Sequence, residues 1–334
     1  MIKMKKALLI MPDFFNYPDV ITNGLKKMGY TVEFINDRPS NNAFVKAFIR
    51  INRKFLSLYI KKYFNKVMKK ISGTTFDLVL LISGQSLSFS ESMIKKLRIK
   101  QKNAVFILYQ WDSERNFPYI KKVQYYFDKC FTFEKNDSNK KVKFLPLFYS
   151  DYYKKIGSKK TNNVYDFCFI GTAHPKKYSF IKKMSKQLSK VYKKKFIYFY
   201  LPSKIVFYYR KLHDSAFRNA NIQEFHFTPL IGSQFNKVYE KSKTVLDSPQ
   251  DGQDGLTIRV IEALGARKKI ITTNKDVMNY DFYSENNIYI YDGKFDYSSP
   301  FFKEEYKPVD NVIYQKYSIE NWLNYMIKGE YKCS

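Results

Sequence analysis

Short, almost unbroken apolar runs punctuate the chain. Ala7–Met11, Leu78–Ile82 and Ala104–Tyr109 are the clearest, and none alternates polar with apolar. Strands read this way when both faces of their sheet are covered, as in parallel sheets flanked by helices. Segments between them have helical spacing and end on helix breakers. The predicted order is strand Ala7–Met11, helix Asp19–Met28 closed by Gly29, and strand Thr31–Ile35. A helical stretch Asn42–Ser72 follows, then strand Leu78–Ile82 ending at Ser83-Gly84-Gln85. Strand Ala104–Tyr109 runs into Gln110-Trp111-Asp112-Ser113, and Phe127–Glu134 and Lys143–Leu147 complete the half. Pro146 and the polar stretch Ser150–Asn163 read as a linker.

The pattern then restarts with strand Asp166–Ile170, the turn Gly171-Thr172-Ala173-His174-Pro175, helix Tyr178–Tyr192, strand Phe196–Tyr200 and helix Lys204–Arg218. A short strand at Glu224–Phe227 ends in Thr228-Pro229-Leu230 and leads to helix Gly232–Lys241. After the run described next come strand Ile288–Tyr291 and a terminal helix, Ser318–Ile327. Two α/β halves built on parallel sheets are expected, one over 1–155 and one over 156–300, with a helical tail over 301–334.

The most informative run is Lys243 to Asn274. Strand Thr244–Leu246, a polar loop from Ser248 to Gly255, a helix with Leu256, Val260, Ile261 and Leu264 on one face, and strand Ile270–Thr273 make a βαβ unit. Its loop falls at the carboxyl end of a strand, where open α/β sheets bind ligands. Gly252 and Gly255 allow close backbone approach, and the free N–H groups near Leu256 and Thr257 suit an anionic group such as a diphosphate. Asp254 and Glu262 lie just over two helical turns apart and can flank one ligand. Arg259, a turn before Glu262, offers a forked donor to phosphate oxygens. Taken singly, the same residues also read as a helix-dipole acid and a solvated surface pair.

Asp254-Gly-Leu-Thr-Ile-Arg-Val-Ile-Glu262, followed by Ala263-Leu-Gly-Ala-Arg-Lys-Lys-Ile-Ile-Thr-Thr-Asn274, resembles the donor-site segment of glycosyltransferases with the GT-B fold. The wording from Gln253 through Gly255, Leu256, Thr257 and Arg259 to Glu262 is most similar to bacterial capsule and lipopolysaccharide transferases. The resemblance implies an α/β chain of two Rossmann-like domains facing across a cleft, with the chain's end crossing back to the first. It implies that Glu262 hydrogen-bonds the donor ribose, and that the Gly255–Thr257 amides with Arg259 hold the diphosphate. Asp254 stands where many retaining members carry glutamate, Thr257 replaces a glycine and Arg259 a proline, so the stereochemical outcome stays open. The Phe169-Ile170-Gly171-Thr172 turn resembles the first loop of the donor domain in the same group. There Lys176 or Lys177 would clamp charge, and His174 would serve as acid/base or phosphate donor; a local hydrogen-bonding role for His174 remains the alternative. Thr228, Pro229 and Leu230 would face the nucleotide base through backbone groups.

An inverting transferase needs a base for the acceptor hydroxyl. Asp112, at a strand's carboxyl end, is the candidate; an Asx turn or helix cap is its plainer reading. No Asp-x-Asp motif is present, so no metal site and no cofactor are expected, and the nucleotide-sugar, expected to be UDP-linked, is a substrate. No Gly-rich dinucleotide fingerprint follows the first strand. A nucleotide-sugar epimerase and a non-catalytic binding protein are the rival functions.

Charge adds a partner. The 334-residue chain carries a formal +29. Asn41 to Thr75 holds no acid, while Lys46, Arg50, Arg53, Lys54, Lys61, Lys62, Lys66, Lys69 and Lys70 alternate with aromatic and apolar residues; Lys176 to Lys211 is a second acid-free run. Basic amphipathic helices lie on anionic membranes. No nucleic-acid motif accompanies them, so nucleic acid is not an expected partner. A polyprenyl-diphosphate-linked glycan acceptor and a peripheral place on the inner face of the cell membrane follow as expectations. No apolar run is long enough to span a bilayer, and three widely spaced cysteines form neither a disulfide framework nor a metal cluster, which points to the cytoplasm.

Overall fold

The computed structural model describes residues 4–40, 45, 56–85, 87–159, 162–248 and 254–332. Gln253, Gly252, Cys333 and the basic residues 46–54 lie outside these. Two units divide the chain: the segment up to Pro146 joined by the segment from Ile319, and Leu147–Ser318. Each holds a six-stranded parallel sheet.

In the first unit the order is β2-β1-β3-β4-β5-β6. These strands are Lys5–Met11 (β1), Tyr30–Asn36 (β2), Leu78–Ser83 (β3), Val105–Gln110 (β4), Lys129–Thr132 (β5) and Val142–Phe144 (β6). The three apolar runs become the central strands β1, β3 and β4, and every residue of β3 is buried. Helices Tyr17–Lys27, Ser57–Lys70 and Glu91–Lys100 flank the sheet. The third was not anticipated. Only Ile94 and Leu97 of it are buried, too few to stand out from its lysines, although Ser90 caps its N-terminus in the expected way. The chain's last helix, Ile319–Lys328, also packs here. Gly24 lies so close to it that an added Cβ would stand 2.5 Å from the Leu323 side chain. Trp322, 1% exposed, meets the Tyr109 ring at 4.7 Å.

In the second unit the strands are Tyr165–Thr172 (β7), Lys195–Tyr200 (β8), Phe225–His226 (β9), Ser242–Leu246 (β10), Lys269–Thr272 (β11) and Ile288–Ile290 (β12). Their order, β12-β11-β10-β7-β8-β9, is the doubly wound Rossmann order, with its reversal between β7 and β10. Much of the aromatic content is spent in this core: Tyr178 meets Phe199, Phe217 and Phe225 with ring centroids between 4.9 and 5.1 Å apart.

The expected linker Ser150–Asn163 is instead largely helix, Asp151–Gly157, with Tyr153 and Ile156 buried. The unit boundary accordingly falls at Pro146, not 155. Tyr149 is already core: its amide donates to Tyr317 O (2.8 Å) and its hydroxyl to Tyr314 O (2.9 Å). The expected 301–334 tail is split for the same reason, since Asn311–Lys316 stays with the second unit and Ile319–Lys328 with the first. The helix expected over Lys204–Arg218 ends at His213, and the strand at Lys143–Leu147 is only Val142–Phe144.

Gly157 and Gly265 let two helices of the second unit nearly touch. A Cβ on Gly157 would sit 2.6 Å from Gly265 O, and one on Gly265 would run into the Tyr149 side chain at its root. Overpacking of this kind costs about 1–3 kcal/mol. Gly265→Ala is therefore expected to lower the second unit's stability by that amount in urea unfolding.

Candidate donor-binding site

The reversal point of the second sheet is where the helix Ile258–Gly265 presents its N-terminus. Thr257 takes the cap position with extended backbone (φ −64°, ψ 153°), yet its side chain makes no capping hydrogen bond. Its hydroxyl oxygen is buried without a hydrogen-bond partner. Threonine at a cap normally satisfies one of the helix's first N–H groups. Here the Thr257 hydroxyl makes no such bond, and Val260 N donates to the Thr257 carbonyl instead (3.1 Å).

Arg259 reaches back from the first helical turn across the switch point. One guanidinium nitrogen donates to Ile170 O in β7 (2.8 Å), and another to Asp247 Oδ1 just beyond β10 (3.3 Å). The Asp247 carboxylate is fully buried and accepts a second bond from the Thr272 hydroxyl of β11 (3.1 Å). Three adjacent strand ends are thus tied by one ion pair, and Arg259 keeps about a fifth of its side chain exposed (21%). Burial opposes the guanidinium charge, but Asp247, with Glu262 and Tyr239 behind it, outweighs this and raises the Arg259 pKa. The guanidinium also lies over the Phe169 ring, 5.5 Å from its centroid.

Two further contacts hold the loop and its opposite wall. The Asn274 amide donates to Asp254 O (2.9 Å), while its Oδ1 accepts from Asp276 N (2.9 Å), which pins the end of the glycine-bearing loop to the turn after β11. Gly171 closes the other side. A Cβ there would stand 2.9 Å from the Phe169 ring, which would have to shift, and at ordinary contact distance, 3.6 Å, from Arg259. Lys177, in the first turn of helix Pro175–Leu188, is half-buried. Burial first, then the Arg259 charge, depress its pKa to about 8, with Asp247 opposing.

No family profile and no curated protein matches the sequence. Solved structures do match. The lipopolysaccharide outer core galactosyltransferase WaaB aligns over 97% of this chain and 99% of its own, with TM-score 0.53 and 12% identity. Anabaena HepE, solved with UDP and glucose, aligns over 85% of each chain, with TM-score 0.50 and 10% identity. The fold is GT-B.

Within this GT-B chain the structure brings Gly171, Arg259, Asp254 and Gly255 into one constellation with Glu262, which is 7% exposed and close enough to Arg259 to act on its charge. Leu256 is buried beneath it. Gln253 lies outside the described residues. His174 takes the cap position of helix Pro175–Leu188, and its carbonyl accepts from Tyr178 N. Thr172 and Lys176 are exposed beside it. Lys176 lines an open cavity of about 460 Å3 with Asp214, Ser215 and Ala216; neither Arg259 nor Asp247 borders that cavity. Thr228, Pro229 and Leu230 follow β9, two strands out from the switch point. The Thr228 carbonyl already accepts from the Tyr198 hydroxyl (2.8 Å). In the first unit Asp112 Oδ1 accepts from Ser113 N (3.0 Å) and Asn116 Nδ2 (3.2 Å), both in the loop after β4.

Sequence reasoning missed Asp247, Thr272 and Asn274. Their only signal is position, since each follows or ends an apolar strand of the βαβ unit. Among the described residues no three His, Cys, Asp or Glu side chains gather in a metal-binding group. Cys130 and Cys168 are buried, and burial pushes their thiols up to about 12 and about 11, which leaves them without nucleophilic character at neutral pH.

Proposed function

We propose that the chain is a glycosyltransferase that moves a sugar from a nucleoside-diphosphate donor, bound at the switch point of the second unit, to a hydroxyl of a glycan acceptor. The observation that carries this is the Arg259 guanidinium, fixed by Asp247 and Ile170 beside an uncapped helix N-terminus at the carboxyl ends of β7 and β10. Preorganised donors aimed at developing negative charge are usually the largest catalytic term. In the transfer, the acceptor oxygen bonds to the anomeric carbon while the bond from that carbon to the phosphate oxygen breaks. Its electron pair leaves with the diphosphate, onto which Arg259, Lys177 and the amides around Thr257 converge. Glu262 holds the ribose, and Asp112 takes the acceptor proton. His174 stands at the phosphate side. The likeness to WaaB, described as a galactosyltransferase, and to HepE, solved with UDP and glucose, supports a hexose on UDP as the donor. The reading includes a lipid-linked acceptor, in the assembly of bacterial surface polysaccharide, and a peripheral place on the inner face of the cell membrane, met through basic helical faces. It needs no metal.

Incubation with UDP-, GDP- and CMP-sugars, with and without a polyprenyl-linked acceptor, tests it. Acceptor-dependent transfer of labelled sugar is expected. Conversion of the donor without acceptor would mark an epimerase instead, and binding without turnover a non-catalytic protein.

Lys177 gives the site a pH signature. A lysine with a depressed pKa binds the diphosphate as a cation, so binding must raise that pKa. UDP affinity is expected to be level below about pH 8 and to fall above it, as free Lys177 loses its proton. Lys177→Met is expected to bind about tenfold more weakly and to lose that fall, in calorimetric titrations from about pH 6.5 to about pH 9.5.

A further inference from the structure

The helix Lys204–His213 in the second unit carries apolar side chains on both of its sides. Phe207 packs into the aromatic core, against Phe225 at 5.2 Å. On the outer side Ile205, Tyr208, Tyr209 and Leu212 are 80%, 56%, 62% and 81% exposed. Their spacing of three, four and seven residues makes one continuous stripe, an arc of about 100° directly opposite Phe207. Lys204 and His213, both exposed, lie at its two margins. The helix contains no acid. A solvated helix of this kind would be expected to turn its leucine and isoleucine inward; this one turns both outward, on a face that no described residue covers.

We propose that this stripe is a membrane contact: the outer face of Lys204–His213 inserts into a bilayer bearing anionic headgroups. The chemistry of the stripe matches such a surface. Two aliphatic side chains supply the apolar area, and two tyrosines combine an apolar ring with a hydroxyl suited to the headgroup level. Lys204, at one margin, is a cation for the phosphates. A second copy of this chain fits less well, because a net charge of +29 would bring lysines against lysines around four side chains of apolar surface. The proposal gives the peripheral-membrane part of the functional reading a specific element, and its test uses neither donor nor acceptor, so failure here is separable from failure of the transfer chemistry.

Sedimentation of the full chain with phosphatidylcholine vesicles, with and without about a third phosphatidylglycerol, reads the contact. The parent chain is expected to sediment only with the anionic vesicles. The double variant Ile205→Ser, Leu212→Ser is expected to bind them about tenfold less or weaker still, with its unfolding temperature unchanged because both side chains are already in water. As a second measurement, Leu212→Trp is expected to add tryptophan fluorescence that brominated acyl chains quench. Unchanged binding by the double variant, no binding by the parent chain, or no added quenching would overturn the proposal. So would a dimer of the parent chain in light scattering that the double variant abolishes, since the occupant would then be a second copy.

Discussion

Replacing Arg259 with alanine is expected to lower kcat/KM by about 10²- to 10³-fold, the loss seen when one preorganised donor to developing charge is removed. A second effect accompanies it. The Asp247 carboxylate has no exposure, and without Arg259 it would keep, among the described residues, the Thr272 hydroxyl bond and the weaker pull of Lys177. Stranding a buried charge costs about 3–5 kcal/mol, so the second unit of Arg259→Ala should also unfold at lower urea. Two variants separate these effects. Arg259→Lys keeps a cation near Asp247 but cannot reach Ile170 O at the same time; it should recover much of the stability and little of the rate. Glu262→Ala leaves the Arg259–Asp247 pair in place and is expected to weaken nucleotide binding about 10- to 100-fold, the cost of a lost hydrogen bond to a charged group. Steady-state kinetics and calorimetry check both. Unaltered activity in Arg259→Ala and Glu262→Ala together would remove the donor-site assignment.

An equally large stability effect is expected in the first unit. Trp322→Ala removes a fully buried indole between the last helix and Tyr109, and such truncations cost about 3–5 kcal/mol. The loss should be confined to one unit. Hydrogen exchange should quicken in β1, β3 and β4 and stay unchanged in β7, β10 and β11. Faster exchange spread evenly over both sheets would mean that the last helix is not a private part of the first unit's core.

The sheets and the donor loop could be read from the sequence because their signals are local. Six apolar residues in a row at Ala104–Tyr109, or a glycine loop between a strand and an amphipathic helix at Lys243–Asn274, need no partner to be recognised. The misses need one. Asp151–Gly157 looks like a linker because its lysines dominate, and it is a helix because Tyr153 and Ile156 find a core that other parts of the chain supply. Asp247 looks like an ordinary residue after a strand; what makes it the anchor of Arg259 is a guanidinium twelve positions on and a threonine one strand over. Arg259 itself was legible as a candidate phosphate ligand but not as the tie between β7 and β10, since that tie depends on strand order. Asp112 was legible only by its place at a strand's carboxyl end, while its contacts with Ser113 N and Asn116 Nδ2 depend on how the loop beyond it folds.

The last helix has a consequence for biogenesis. The first unit is begun before Leu147–Ser318 and finished after it, so all of that segment is made in between. At about 5–20 residues per second that interval is roughly ten to thirty seconds. Throughout it the groove that awaits Trp322 and Leu323 stands open on the nascent chain, so the second unit is free to fold first, and the segment up to Pro146 becomes the natural client of a chaperone until Ile319–Lys328 emerges.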